Sequence, residues 1–144
     1  MSDHLNLTDD EIISEGISAL QIEAEAVGRL TATIGADFVR AVRMIADCKG
    51  KVILTGVGKS GIIGEKISAT FSSTGVPSVF LHPTEGAHGD LGIVAKNDIV
   101  IALSKSGETT ELVNLIPFLR NRGASLIAMV GSTNSTLARK SDVV

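Results

Sequence analysis

The chain contains no tryptophan and no tyrosine, one cysteine, three prolines and four phenylalanines among its 144 residues. So few aromatic rings leave no platform on which bases could stack. Its 13 basic residues against 16 acidic ones give no cationic surface for a nucleic-acid backbone. Cys48 has no partner in the chain, which excludes a disulfide scaffold. No apolar run approaches the roughly 18 residues of a membrane-spanning helix, and the polar, acidic N-terminus is unlike a signal peptide. An apolar content of 44% with a net charge of −3 excludes disorder. The expectation is a soluble cytoplasmic domain with no nucleic-acid or membrane partner. Its one unusual count is 15 glycines, most of them beyond Gly50.

The first fifty residues read as two helices. Thr8 and Glu11 form a capping box, after which Ile13, Ile17, Leu20, Ala24, Val27 and Leu30 lay one apolar stripe. Gly35 and Asp37 mark a break before a second stripe of Phe38, Ala41, Val42 and Ile45, stopped at Lys49-Gly50. Such helices either pack on a following sheet or pair with another subunit. From Lys51 the pattern changes to short apolar runs separated by helical stretches. Strands are predicted at 52–55, 78–81, 98–103 and 125–130, with the start of a fifth at Val143-Val144. The helices between them are predicted at 62–71, 109–122 (with Pro117 inside) and 135–140. Apolar runs without alternation mean strands buried on both faces, hence a parallel sheet covered by helices.

In such a sheet, ligands sit beyond the carboxyl ends of the strands, so the loops there carry the chemistry. Gly56-Val57-Gly58-Lys59-Ser60-Gly61 spells a dinucleotide fingerprint, but its context is wrong. The second strand ends Phe80-Leu81-His82, without the acidic residue that would hold a ribose, and Ile53 stands where a P-loop needs its first glycine. What remains is a tight glycine turn or a phosphate or sugar cradle of backbone amides, with Lys59 as the cation. Ser104-Lys105-Ser106-Gly107-Glu108-Thr109-Thr110 places several hydroxyls beside free helix N-terminal amides, a site for a phosphate monoester. Mere helix capping needs one hydroxyl, not several. The stretch from His82 to Asp90 gathers two histidines and two carboxylates, of which His88 is the candidate for acid–base work. A fixed zinc set is missing from it. Glu111 reads equally as a helix-dipole partner and as a carboxylate able to shuttle a proton. Cys48 reads as a small buried side chain.

Taken together these loops resemble the sugar isomerase (SIS) domain family, whose hallmark is a serine-rich loop of the form seen at Ser104–Thr109. Four segments resemble the arabinose-5-phosphate isomerase subgroup: 55–61, 69–77, 82–92 and 104–111. The resemblance implies a three-layer αβα fold with a flavodoxin-like parallel sheet of about five strands, preceded by two N-terminal helices. It implies interconversion of D-ribulose 5-phosphate and D-arabinose 5-phosphate through an enediol, towards Kdo and lipopolysaccharide. It also implies a cytoplasmic homotetramer that needs no cofactor and is inhibited by zinc, with His82 as a zinc contact. Lys59 and Glu111 fall on catalytic positions of the family, and Gly75, Val76, His82 and His88 on substrate-contacting ones. The stretch Asn114–Gly123 matches another substrate-binding segment, although its bulky apolar residues argue for helix packing.

Two departures from the family stand out: Lys105 replaces a more usual neutral amide, and the chain stops at Val144, before a family carboxylate and histidine. The expectation is therefore an SIS domain over 1–144, incomplete at its C-terminus and without a CBS pair. Gly58, Ser60, Ser104, Ser106 and Thr109 would grip the phosphate, and Lys59, Glu111 and His88 would move or stabilise charge. The rivals are an SIS module that binds a sugar phosphate as a sensor, and an isomerase of a related ketose phosphate.

Overall fold

The computed structural model of the chain describes residues 7–87 and 90–144. Its contacts divide the chain into two units, 1–36 and 37–144. The first holds helix α1 (Asp9–Leu30) and a 3-10 turn over Thr31–Thr33 that the apolar pattern does not signal. The capping box forms as the sequence predicts: the Thr8 hydroxyl accepts the Glu11 amide at 3.3 Å, and the Glu11 carboxylate accepts the Thr8 amide at 2.7 Å. The Thr8 amide foremost, and the Thr8 hydroxyl, which donates to the same carboxylate at 3.0 Å, hold the Glu11 carboxyl below its ordinary range. No residue of α1 is buried, and Ile13, Ile17, Leu20, Val27 and Leu30 of its stripe are each more than half exposed.

The second unit begins with α2 (Ala36–Ala46), then β1 (Val52–Gly56), α3 (Lys59–Ser73) and β2 (Ser78–Phe80). It continues with α4 (Pro83–Ala87), a 3-10 turn (Asp90–Ile93), β3 (Ile99–Ser104), α5 (Thr110–Arg122), β4 (Ser125–Val130) and α6 (Thr136–Arg139). The strands lie in the order β2-β1-β3-β4, all parallel, with Val52 opposite Ser78 and Ile99, and Ile99 opposite Ser125. A fifth strand is expected at Val143-Val144. Among the described residues it amounts to one parallel bridge, Val143 to Ile127, which extends the flavodoxin-like order 2-1-3-4 by one position.

Alternate residues of each strand face opposite layers, and both layers are covered, so the runs read as continuously apolar. Ile53, Val100, Ala102, Leu126 and Ala128 pack with Leu112, Leu115, Ile116 and Leu119 of α5. Val52, Leu54, Ile99, Ile101 and Leu103 pack against Ala41, Met44 and Ile45 of α2 and Ile67 and Phe71 of α3. Cys48, half-buried beside that second cluster, donates its thiol hydrogen to the Asn97 carbonyl at 3.5 Å, in keeping with its reading as a small packed side chain.

Two boundaries differ from the sequence expectation. Helix α3 starts three residues earlier than 62, so Lys59, Ser60 and Gly61 form its first turn instead of a glycine loop. The stretch after His82, expected as loop, contains the short helix α4, with Pro83 at its first position, where a missing amide hydrogen costs nothing.

Candidate functional site

The carboxyl ends of β1 and β3, the two central strands, deliver the turn 56–59 and the hydroxyl loop 104–109 to the same edge of the sheet. Between them lies a cavity of about 450 Å³ lined by Val57, Ser60, Leu103, Ser104, Lys105, Ser106 and Thr109. Four of the hydroxyl residues singled out from sequence therefore meet in one place. A neighbouring cavity of about 320 Å³ shares Ser60, Ser104 and Lys105 with it and is lined by Lys59 as well.

Gly58 makes the β1–α3 turn, with φ 57° and ψ −129°, a backbone conformation that a side chain would strain. As N-cap of α3 it offers no capping side chain, which leaves the first amides of the helix without a side-chain acceptor. The positive end of this 15-residue helix lies beside the cavity, which its second residue, Ser60, lines.

The hydroxyl loop has a definite internal order. Ser104 is buried, its Oγ accepts the Gly107 amide at 2.9 Å, and it lies 2.8 Å from Thr109 Oγ1. The two hydroxyls share one hydrogen bond that either can donate, so Ser104 Oγ holds both the Gly107 amide and Thr109. Both side chains line the cavity. Thr109 is the N-cap of α5, yet its side chain makes no capping bond, so the capping explanation of this hydroxyl does not hold. Ser106, exposed, accepts the Glu108 amide at 3.2 Å and retains its hydroxyl hydrogen. Ser104 thus orders the loop as well as lining the cavity, which Ser60, Ser106 and Thr109 line with it.

Sequence reasoning missed Glu108. Its Oε1 accepts the Thr136 amide at 2.6 Å, and that bond, followed by the Thr136 side chain and the charge of Arg139, holds its carboxyl below the ordinary range. No periodicity or spacing signals a contact between residues so far apart in the chain.

The remaining candidates are distributed as follows. Lys59 opens α3 and is exposed. Glu111 lies in the first turn of α5, is exposed, and has no hydrogen-bond or ion-pair partner among the described residues. His82 follows β2 on the same carboxyl edge, where its Nδ1 accepts the Thr84 amide at 3.3 Å and its ring stands edge-on to Phe80. His88 lies outside the described residues. Gly75 and Val76 are not brought to this cavity: with Val52 and Pro77 they line a separate one of about 180 Å³ at the amino end of the strands. Of Asn114–Gly123, Leu115, Ile116 and Leu119 are buried against the sheet, as their bulk foretells.

Comparison with known proteins agrees with this geometry. The SIS domain model matches residues 44–144. The arabinose 5-phosphate isomerase KdsD of Pseudomonas aeruginosa is 45% identical over 133 residues, 92% of this chain and 41% of that protein. KdsD of Escherichia coli K12 is 48% identical over 128 residues, 89% of this chain and 39% of that protein. The chain thus spans about two fifths of the length of these curated relatives. An Escherichia coli CFT073 protein solved in complex with arabinose 5-phosphate superposes with a TM-score of 0.90 at 42% identity, covering 95% of this chain and 73% of that one. Phosphoheptose isomerase GmhA of Neisseria gonorrhoeae, at 17% identity and a TM-score of 0.74, shares the fold over 90% of this chain and 81% of its own. With a parallel sheet in this order, a hydroxyl loop at its carboxyl edge and a family match over most of its length, the chain belongs to the SIS domain family.

Proposed function

We propose that this chain is the sugar-phosphate isomerase domain of an arabinose 5-phosphate isomerase, interconverting D-ribulose 5-phosphate and D-arabinose 5-phosphate. The observation that carries the proposal is the convergence of Ser60, Ser104, Ser106 and Thr109 on one cavity beside uncapped helix amides. It is supported by 42% identity to a protein solved with arabinose 5-phosphate and by curated isomerase relatives.

The Thr109, Ser106 and Ser60 hydroxyls and the first amides of α3 bind the 5-phosphate, with Lys59 and Lys105 supplying opposite charge. A base, Glu111 or His88, removes a proton from C1 of the open-chain ketose, and the electrons flow toward the C2 oxygen, which takes up a proton. The resulting enediol regains a proton at C2 while the C1 hydroxyl proton leaves, and C1 becomes the aldehyde carbon. Lys59 stabilises the enediolate electrostatically. Hydrogen is moved within one molecule with no net oxidation, so the reaction requires no redox cofactor. Zinc acts as an inhibitor through His82. The product feeds Kdo and lipopolysaccharide synthesis in the cytoplasm, and the enzyme works as a homotetramer. Among the described residues, no helix is long and apolar enough to cross a membrane.

Proton NMR of ribulose 5-phosphate in deuterated water, with the purified chain and EDTA, tests the proposal. Deuterium at C2 of newly formed arabinose 5-phosphate is the expected outcome. Folded protein that binds the sugar phosphate but exchanges nothing would replace the isomerase with a sensor module.

A further inference from the structure

The hydroxyl loop does not stand alone. The segment after β4 donates three backbone hydrogen bonds to it: Gly131 to the Lys105 carbonyl at 3.1 Å, Leu137 to the Gly107 carbonyl at 3.0 Å, and Thr136 to the Glu108 carboxylate at 2.6 Å. The first two join main chain to main chain and survive almost any substitution. The third depends on one side chain. Gly107 takes φ 68° with its α-carbon against the Ser135 side chain, so the loop and the start of α6 are also in direct contact.

Glu108 sits between Ser106 and Thr109, which line the cavity, yet its own side chain lines neither cavity. A carboxylate swinging freely at this position would repel a dianionic phosphate a few ångströms away. Bound to the Thr136 amide and near the Arg139 charge, it is turned from the anion and partly neutralised. We propose that Glu108 is a positioning residue: by accepting the Thr136 amide it ties the hydroxyl loop to the start of α6 and keeps a negative charge out of the anion cavity. This inference rests on the reading of that cavity as a phosphate site.

Removing either end of the bond tests it. Glu108→Ala removes the acceptor, and Glu108→Gln keeps an acceptor oxygen. Thr136→Pro removes the donor at the first position of α6, where proline is tolerated; the extended backbone of Ser135 before it (φ −75°, ψ 162°) also suits a following proline. Binding of inorganic phosphate and of arabinose 5-phosphate is measured by calorimetry, with thermal unfolding of each variant in parallel.

Glu108→Ala, which loosens the loop but also removes the charge, weakens phosphate binding about fivefold. Thr136→Pro, which frees the carboxylate as well, weakens it about tenfold. The double variant is no worse than Thr136→Pro, and Glu108→Gln stays within about twofold of the unaltered protein. Unfolding midpoints move little. Binding unchanged in Glu108→Ala overturns the proposal, as do losses that multiply in the double variant or a Glu108→Gln loss equal to that of alanine. So does a binding loss accounted for entirely by unfolded protein. If the unaltered protein binds phosphate but not arabinose 5-phosphate, the substrate assignment fails while Glu108 is still judged on phosphate. If it binds neither, the positioning role fails too.

Discussion

Ser104 Oγ and Thr109 Oγ1 lie 2.8 Å apart, joining the last residue of β3 to the N-cap of α5. The same Ser104 oxygen accepts the buried Gly107 amide at 2.9 Å. One side chain thus holds the loop at two points, Gly107 and Thr109. Ser104→Ala leaves the buried Gly107 amide without its acceptor. The expected loss of stability is about 1–3 kcal/mol by urea unfolding, accompanied by weaker phosphate binding. Thr109→Val, which keeps the shape and removes a hydroxyl from the cavity lining, should cost less stability but as much phosphate affinity. A Ser104→Ala protein as stable as the original would contradict this division of labour.

At the opposite end of the sheet, Asp98 is 2% exposed and accepts three hydrogen bonds. The donors are the Lys51 amide at 3.0 Å, the Lys51 Nζ at 2.6 Å and the Ala95 amide at 2.8 Å. Burial pushes its carboxyl up, but the Lys51 side chain and amide and the Ala95 amide together pull it below the ordinary value of 3.8. A carboxyl whose folded value is depressed contributes stability above its unfolded value and loses that contribution as pH falls through the folded one. Asp98→Asn should therefore cost about 2–3 kcal/mol at neutral pH. The gap to the unaltered protein should narrow steadily as pH drops below 3.8. A gap constant from pH 7 to about 3 would assign the effect to packing instead.

The strands were legible because each is buried on both faces, and that leaves an uninterrupted apolar run such as Ile99–Leu103. The hydroxyl loop was legible from composition alone, since several hydroxyls between a buried strand and a helix exceed what capping needs. The Glu108 to Thr136 bond was not, because two residues 28 apart meet only through the tertiary fold. Helix α4, at five residues, is too short to carry a 3.6-residue period. The apolar stripe of α1 was readable as a stripe, but periodicity says nothing about what would cover it. Family resemblance alone marks Gly75 and Val76 as substrate contacts, and only the fold reveals that they lie with Val52 and Pro77 at the amino end of the strands.

Pro117 sits inside α5 on its exposed side, flanked by the buried Ile116 and the half-buried Phe118. It cannot donate to the Val113 carbonyl one turn back, and its ring crowds that carbonyl. The helix persists because Leu112, Leu115, Ile116 and Leu119 anchor it to the sheet. Pro117→Ala restores the bond, offset by the greater freedom alanine gives the unfolded chain. The net expectation is a stabilisation of about 1–2 kcal/mol, read as a higher urea midpoint with an unchanged slope. A lower midpoint would mean that the ring itself packs favourably.

Glu111 lies two residues beyond Thr109, in the first turn of the helix that the hydroxyl loop introduces, exposed and without a partner among the described residues. Two roles compete for it. As a dipole partner it would contribute about 0.3–1 kcal/mol to helix stability and nothing to turnover. As the proton carrier it would be dispensable for folding and, on the proposed binding mode, for binding the phosphate through Ser60, Ser106 and Thr109. Glu111→Gln separates the two, since glutamine keeps the shape and removes the base. Turnover and deuterium incorporation at C2 should fall by about 10²–10⁴, with phosphate affinity within about twofold and the unfolding midpoint nearly unchanged. Full turnover in the glutamine variant would leave the proton to His88, and the same measurement on His88→Asn would then have to show the loss.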